Sequence, residues 1–250
     1  MKVFRADLHT HTVLSPCGDL EMSPVNIVRA AKERGLDILG ISDHNSTLHA
    51  TLIKQLAQKE GIMVLMGAEV TTKEEVHCLC FFETEDLLSE FQIYLDRYLP
   101  KIPNDTKYFG YQVVVNEEEE IVQEIDNLLI SGLSQGINEI EQKVHELKGL
   151  FIPAHINKTQ NSIISQLGFL PTDLNVDALE ISMHITKEEF LSKNKYLKGY
   201  TFIQSSDAHY IENIGNVCTK FTMKEASFSE IKKALKGEDG RIVELEERLK

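Results

Sequence analysis

The sequence predicts an α/β fold: a distorted seven-stranded (β/α)7 barrel, TIM-like, with an inserted segment near residues 101–148. Three observations point there. Short apolar runs alternate along the chain with helical stripes, the pattern of strands buried on both faces. No glycine-rich phosphate loop follows the first run, which weakens a nucleotide-cofactor fold. Polar residues instead close many different runs, as they do where a barrel builds its site at the carboxyl mouth. About seven such units would also suit an open doubly wound sheet; the strand-end residues select the barrel. The chain of 250 residues is long enough for one sizeable core, and a single domain over 1–250 is expected.

The elements follow in order. Val3, Phe4 and Ala6 open a strand that runs into Asp7-Leu8-His9-Thr10-His11. Histidines at i and i+2 of an extended segment point the same way, so the pair can chelate one ion. Ser15-Pro16-Cys17-Gly18-Asp19 is a loop, by its proline and glycine. Ser23 is an N-cap with Pro24 at the first helical position, and the helix ends at Gly35. Ile38 to Ile41 is a buried strand ending in Ser42-Asp43-His44-Asn45. Leu48, Leu52, Ile53, Leu56 and Ala57 mark a helix stopped by Gly61. A third strand from Ile62 ends at Gly67-Ala68-Glu69-Val70, and a fourth, Val76 to Phe82, carries His77 at its beginning. Leu87, Leu88, Phe91, Leu95 and Tyr98 make a helix closed by Pro100.

Residues 101–148 break this rhythm. Tyr111 to Val122, with the acidic turn Glu117–Glu120 inside it, reads as a hairpin or as a strand entering a helix. Ile137, Ile140, Val144 and Leu147 then form a helical face. The rhythm resumes with Leu150 to Ala154, ending at His155, and with Ala178-Leu179-Glu180-Ile181. Thr186 with Glu189 opens a helix as a capping box. Tyr200 to Gln204 is a strand ending in Ser205-Ser206-Asp207-Ala208-His209. Ser227 and Glu230 cap a last helix, and the charged tail after Gly237 is expected to be peripheral.

Composition is ordinary globular, 42% hydrophobic and 26% charged, with a net charge of −13. That charge argues against a grip on duplex nucleic acid, which needs a basic face, so no duplex partner is expected. It does not exclude a small anion, because bound divalent cations reverse the potential of an acidic pocket. No apolar run approaches the roughly 20 residues of a membrane helix, and the amino terminus runs straight into a strand. A cytoplasmic protein with no membrane partner is expected. Cys17, Cys78, Cys80 and Cys218 show no secreted disulfide framework, and Cys78-Leu79-Cys80 reads as part of a buried strand.

The strand-end residues are His9, His11, Asp19, His44, Glu69, His77, His155, Asp207 and His209, including six of the nine histidines. Buried without partners, each would cost several kcal/mol; a metal cluster removes that cost. Nitrogen and oxygen donors suit Zn2+, Mn2+ or Fe2+. Lys158, three residues after His155, is a candidate phosphate clamp. His49 and His145 read as surface or cap residues, while His184, Asn45 and Asn157 are candidates to touch substrate.

Four of these motifs together resemble the polymerase and histidinol phosphatase (PHP) family: Asp7-Leu8-His9-Thr10-His11, Ile41-Ser42-Asp43-His44-Asn45, Ala154-His155 and Ser206-Asp207-Ala208-His209. The resemblance implies a distorted seven-stranded barrel and two to three divalent ions. By position it implies His9, His11, Glu69 and Asp207 on the first ion. Glu69, His77 and His155 would take the second, and Asp19, His44 and His209 the third. The loop before Asp19 is longer than is common in the family, and Cys17 is the alternative ligand. Asp7 and Asp43 would orient imidazoles, and Asp207, His209 and Lys158 would serve catalysis. Paired ions can ionise a water near neutral pH and stabilise the charge of in-line attack on phosphorus. The expected activity is hydrolysis of a phosphate ester of a nucleotide, short oligonucleotide or other small metabolite. Histidinol phosphate is a second substrate; a noncatalytic metal-stabilised module and C–N bond hydrolysis are the rivals.

Overall fold

The computed structural model describes residues 1–246. In chain order the elements are β1 (Lys2–Thr10), α1 (Pro24–Glu33), β2 (Ile38–Ile41), α2 (Ala50–Lys59), β3 (Met63–Thr71), β4 (His77–Phe82), α3 (Glu85–Tyr98) and α4 (Thr106–Phe109). Then come β5 (Val113–Val115), β6 (Ile121–Glu124), α5 (Ile137–Glu146), β7 (Leu150–Pro153), α6 (Ile163–Leu167) and β8 (Leu179–Glu180). The chain continues with α7 (Lys187–Lys193), β9 (Phe202–Ile203), β10 (Thr219–Met223), α8 (Phe228–Leu235) and β11 (Ile242–Leu245). Local chemistry sets the helix starts: the hydroxyls of Ser23, Thr84, Thr186 and Ser227 accept the first free backbone N–H groups of α1, α3, α7 and α8.

Seven strands form one curled sheet in the order β11-β10-β1-β2-β3-β4-β7. It is mixed rather than parallel. β1, β2 and β3 run parallel, but β4 is antiparallel to both β3 and β7, and β10 is antiparallel to both β1 and β11. The reason lies between β3 and β4. No helix intervenes there, only a tight turn in which Glu75 donates its N–H to Thr72 O (2.9 Å) with φ 62°. That reversal brings His77, at the start of β4, to the rim where β1, β2 and β3 end.

Strand residues alternate between two apolar layers. Ala6, Leu8, Ile38, Leu65, Leu79, Phe81, Leu150 and Ile152 fill the hollow of the curl. Leu39, Val64, Met66, Cys78, Cys80 and Phe151 face the helices, against Ile27, Ile53, Phe91 and Ile140. Ile137, Ile140 and Val144 of α5 thus belong to the main core. From the rest of the 101–148 segment the chain makes α4 and the β5–β6 hairpin.

The closed seven-stranded barrel gives way to a half-barrel. β8 and β9 pair with each other in parallel as a separate two-stranded sheet. Single bonds draw this pair across the opening: Asp177 N–H to Phe151 O (3.0 Å), Ile156 N–H to Glu180 O (2.8 Å) and Ala208 N–H to His9 O (3.1 Å). With only two residues each, these strands are too short to continue a ladder on either side.

Residues 238–246, the described part of the tail after Gly237, join the sheet through β11 and are not peripheral. β11 pairs with β10, and Arg241 is buried against Glu230, donating Nη2–H to Oε1 (2.7 Å) and Nε–H to Oε2 (2.8 Å). β10 joins β1, with Phe221 and Met223 completing the hollow. Among the described residues, no helix is long and apolar enough to cross a membrane.

Candidate metal centre

Polar side chains stand at or just past the strand termini on one rim, and there they meet. The parallel pairing of β1 with β2 slips between Asp7 and Thr10. Gly40 accommodates the slip, since a Cβ there would lie 2.4 Å from Leu8 O. His9 and His11 emerge from this irregular stretch fully buried, with their Nε2 atoms 3.2 Å apart.

Glu69 is the hub. Its Oε1 lies 2.9 Å from His77 Nδ1, 3.1 Å from His155 Nε2 and 3.3 Å from His9 Nε2. Its Oε2 lies 3.1 Å from His44 Nδ1 and 3.4 Å from His11 Nε2. Five imidazoles therefore surround one carboxylate that is 1% exposed. Burial works against its charge, yet His77, His9 and His44 outweigh burial and hold Glu69 well below the usual carboxylate range. Asp207 stands opposite, its Oδ1 3.4 Å from His9 Nε2 and 3.6 Å from both His11 Nε2 and His209 Nδ1. Burial opposes its charge as well, but His9 and His11 hold Asp207 well below its ordinary value.

The hydrogen bonds fix which nitrogen each imidazole presents. His9 Nδ1 donates to Glu180 Oε2 (3.0 Å), which also accepts the N–H of His155 (2.9 Å). His9 Nε2 is left facing the rim. Burial pulls His9 down, but Glu180, Asp207 and Glu69 raise it well above 6.5. His11 Nδ1 donates to Ser15 Oγ (3.0 Å), and Ser15 O–H donates to Asp43 Oδ1 (2.7 Å). His11 Nε2 is likewise free toward the rim. Burial, then His11, lowers His209 to about 4, so its ring is neutral at pH 7. Asn45, His155 and Asp207 hold positive φ angles of 46°, 29° and 53°. Backbone strain thus sits at three rim turns.

Of the residues expected at the site, His9, His11, His44, Glu69, His77, His155, Asp207 and His209 converge. Lys158 reaches the rim and pairs through Nζ with Asp207 Oδ2. Asp19 does not converge. Its carboxylate caps the N–H of Glu21 (2.9 Å), and its own N–H goes to His209 O (2.9 Å). Cys17 stands there instead, among His11, His44 and His209. Asp43 serves an imidazole as expected, through Ser15. Asp7 does not: its carboxylate accepts from Ser206 N (3.0 Å), Ser206 Oγ (2.6 Å) and Gly215 N (2.8 Å), and so holds the turn carrying Asp207.

His49 is a correction too. It stands at the N-cap position of α2, but it is fully buried rather than on the surface. The Val115 N–H donates to His49 Nε2 (2.9 Å), so the proton sits on Nδ1, which donates to Thr12 Oγ1 (2.6 Å). Thr12 O–H in turn donates to Asp43 Oδ2 (2.8 Å). His145 lies away from the rim, 3.1 Å from Asp177. Asn45 is committed to Thr71, Leu129 and Ser131, and Asn157 to Ser182. His184 is exposed and lines the cavity. Sequence reasoning missed Glu180 as a site residue. Its one signal was an acid inside the apolar run from Ala178 to Ile181.

A cavity of about 500 Å³ opens above the rim, lined by Cys17, His44, Glu69, His77, His155, Lys158, Asp207 and His209 among others. Three overlapping donor sets lie within 4.8 Å spreads: His9-His11-Glu69, His44-Glu69-His77 and His11-Cys17-His44-His209. His155 Nδ1 and His44 Nδ1 are buried with no directed hydrogen-bond partner. Nitrogen lone pairs converging on shared carboxylates, with buried ring atoms left over, fit divalent metal ions of the zinc or manganese type.

Comparison with known proteins agrees. The chain is 25% identical to the uncharacterized protein YqxK of Bacillus subtilis, covering 97% of this chain and 64% of that protein. The crystal structure of the lesion-specific endonuclease PfuEndoQ from Pyrococcus furiosus superposes with a TM-score of 0.74 at 23% identity, covering 97% of this chain and 58% of that one. An Endonuclease Q complex with a 27-mer duplex substrate, bearing an abasic lesion at the active site, superposes with a TM-score of 0.72 at 22% identity, over 96% and 58% of the two chains. This chain thus spans less than two thirds of these relatives. The duplex complex overturns the expectation that net charge excludes duplex nucleic acid. A charge summed over the whole chain does not set the potential at one rim. A PHP-associated profile matches residues 197–239. The PHP domain profile matches residues 7–158, more than half of the sequence and the whole arc from the first histidine pair to Lys158; the chain belongs to the PHP family.

Proposed function

We propose that the chain is a metal-dependent phosphoesterase that hydrolyses a phosphate ester of a nucleotide or short oligonucleotide at a di- or trinuclear rim. One observation carries the reading: five imidazoles converge on the single buried carboxylate of Glu69. In this reading His9, His11 and Asp207 hold one ion and His77 and His155 a second, with Glu69 shared between them. His44 and His209 belong to a third. Divalent ions at such a rim supply Lewis acidity toward phosphoryl oxygens and a water that ionises near neutral pH.

The chain's own residues do the rest. Glu180 and Ser15 fix the tautomers of His9 and His11, so their Nε2 lone pairs face inward. The buried imidazoles exclude bulk water from the floor of the cavity. Lys158, 39% exposed at the side chain, has the reach and charge to leave Asp207 for a phosphoryl oxygen. As an ammonium it acts as a point charge without a bidentate fork. The Asp7–Ser206 bonds keep Asp207 aimed at the rim.

The test is a phosphoester panel that includes dinucleotides, abasic duplex DNA and histidinol phosphate. It is run with protein stripped by chelator and then reloaded with Zn2+ or Mn2+. Turnover should vanish on chelation and return on loading. Asp207→Asn should lower turnover by roughly 10³-fold or more while the melting temperature of ion-free protein stays near wild type. Reloaded protein inert on the whole panel would sink the reading. A better kcat/KM on histidinol phosphate than on nucleotides would reassign the substrate.

A further inference from the structure

We propose that the Cys17 thiol is a metal ligand which, with His44 and His209, makes a sulfur-bearing site selective for zinc over manganese. Cys17 thereby adds a ligand and a choice of ion to the metal-dependent reading above, on which it rests. Its Sγ and one ring nitrogen each of His11, His44 and His209 lie within 4.8 Å of one another. The position is built by the loop. Gly18 N–H donates to Ser15 O (2.8 Å), and Asp19 N–H crosses to His209 O (2.9 Å). A Cβ on Gly18 would lie 2.2 Å from Thr12 O, so glycine is what lets the loop fold this tightly. Ser15 of the same loop receives His11 Nδ1–H (3.0 Å) and the His44 N–H (3.2 Å). Sulfur and imidazoles therefore hang on one set of bonds. His44 is 3% exposed, and its Nδ1, 3.1 Å from Glu69 Oε2, makes no directed hydrogen bond. The carboxylate that could have served, Asp19, is turned away to cap Glu21.

On binding, the sulfur–metal bond forms as the S–H bond breaks, and the proton leaves to solvent. A thiolate with imidazoles favours zinc, whereas manganese and magnesium prefer oxygen donors. The other three cysteines are buried and Cys17 is exposed. A thiolate signal from a bound ion therefore reports on Cys17.

The experiment loads the stripped full chain with Co2+ and records the near-ultraviolet thiolate-to-cobalt absorption. It also counts bound ions per chain by elemental analysis after zinc or manganese loading. Wild type should show the band. Cys17→Ser should lose it and bind one fewer zinc ion. Cys17→Asp should lose the band yet recover the full count with manganese. Because Cys17 is exposed, neither change touches the core, and circular dichroism checks the fold. Full cobalt uptake without the band, or a band that survives in Cys17→Ser, overturns this proposal alone. A chain that takes up no ion overturns it together with the phosphoesterase reading.

Discussion

A histidine offers one nitrogen to a metal cleanly when the other is committed, and Glu180 commits His9. The bond from Nδ1 to Oε2 is charge-assisted and buried, and the same oxygen holds the N–H of His155. Glu180→Gln removes the charge while keeping an amide oxygen of similar shape. Metal affinity should then fall roughly 10- to 100-fold, the usual effect of losing a partner behind a ligand. Chelator competition measures it, and circular dichroism should stay unchanged. Equal affinity in variant and wild type would remove Glu180 from this role. Glu180 was not legible as a site residue because one acid in a short strand reads equally well as a solvent-facing position. The histidines and Asp207 were legible because each ends an apolar run abruptly. Cys17 and Asp19 were both in view, but loop conformation has no period, and no spacing rule chooses between them.

At the scale of elements, one buried network ties the β5–β6 hairpin to the rim. It runs from Val115 N–H through His49, Thr12, Asp43 and Ser15 to His11. Its two arms both donate inward, Val115, His49 and Thr12 from one side and His11 and Ser15 from the other, and meet on the Asp43 carboxylate, so each link constrains the next. His49→Ala leaves the Val115 N–H and the Thr12 hydroxyl short of a partner. The expected loss is about 1–3 kcal/mol for the unsatisfied donor. Amide exchange at Val115 should accelerate, and metal affinity should weaken as His11 loosens. A hairpin as protected in the variant as in wild type would show that His49 merely fills space. Sequence pattern could not reveal this contact, which joins residues 66 positions apart. The longer helices, by contrast, were readable from caps and stripes, while the short α4 and α6 were not. Ser23, Thr186 and Ser227 cap as expected, but neither Glu189 nor Glu230 returns the bond that a capping box needs, and Glu230 turns to Arg241 instead. β10 escaped notice although it alternates buried and half-exposed residues. Its outward Lys220 and Thr222 dilute the apolar count. β11 is an edge strand with no buried residue, and so lacks the signal that buried strands carry.

Across the whole molecule, closure of the curl depends on pieces that look dispensable in the sequence. β10 and β11 extend the sheet past β1, and α8 packs against the hollow with Phe228, Ile231 and Leu235. Arg241 and Glu230 lock these pieces together by two parallel bonds, and Lys224 N–H adds a third to the same carboxylate (2.9 Å). The Arg241 side-chain bond, then the Lys224 backbone bond, lowers Glu230 from its ordinary 4.5 to about 2. A carboxyl depressed by folding stabilises the native state only while it is ionised. Its contribution is complete above pH 4.5 and drains away as pH falls toward 2, because the unfolded chain takes the proton first. Arg241→Met removes the largest cause of the depression and leaves the Lys224 bond, so two results are expected together. The variant should melt at a lower temperature than wild type at pH 7, and the gap should narrow as the pH of the melt falls from 4.5 to 2. Thermal melts at stepped pH, made on stripped protein so that the rim contributes no ions, provide the measurement. A gap that stays constant through that window would mean that Arg241 holds the tail by packing its methylenes and not by its charge.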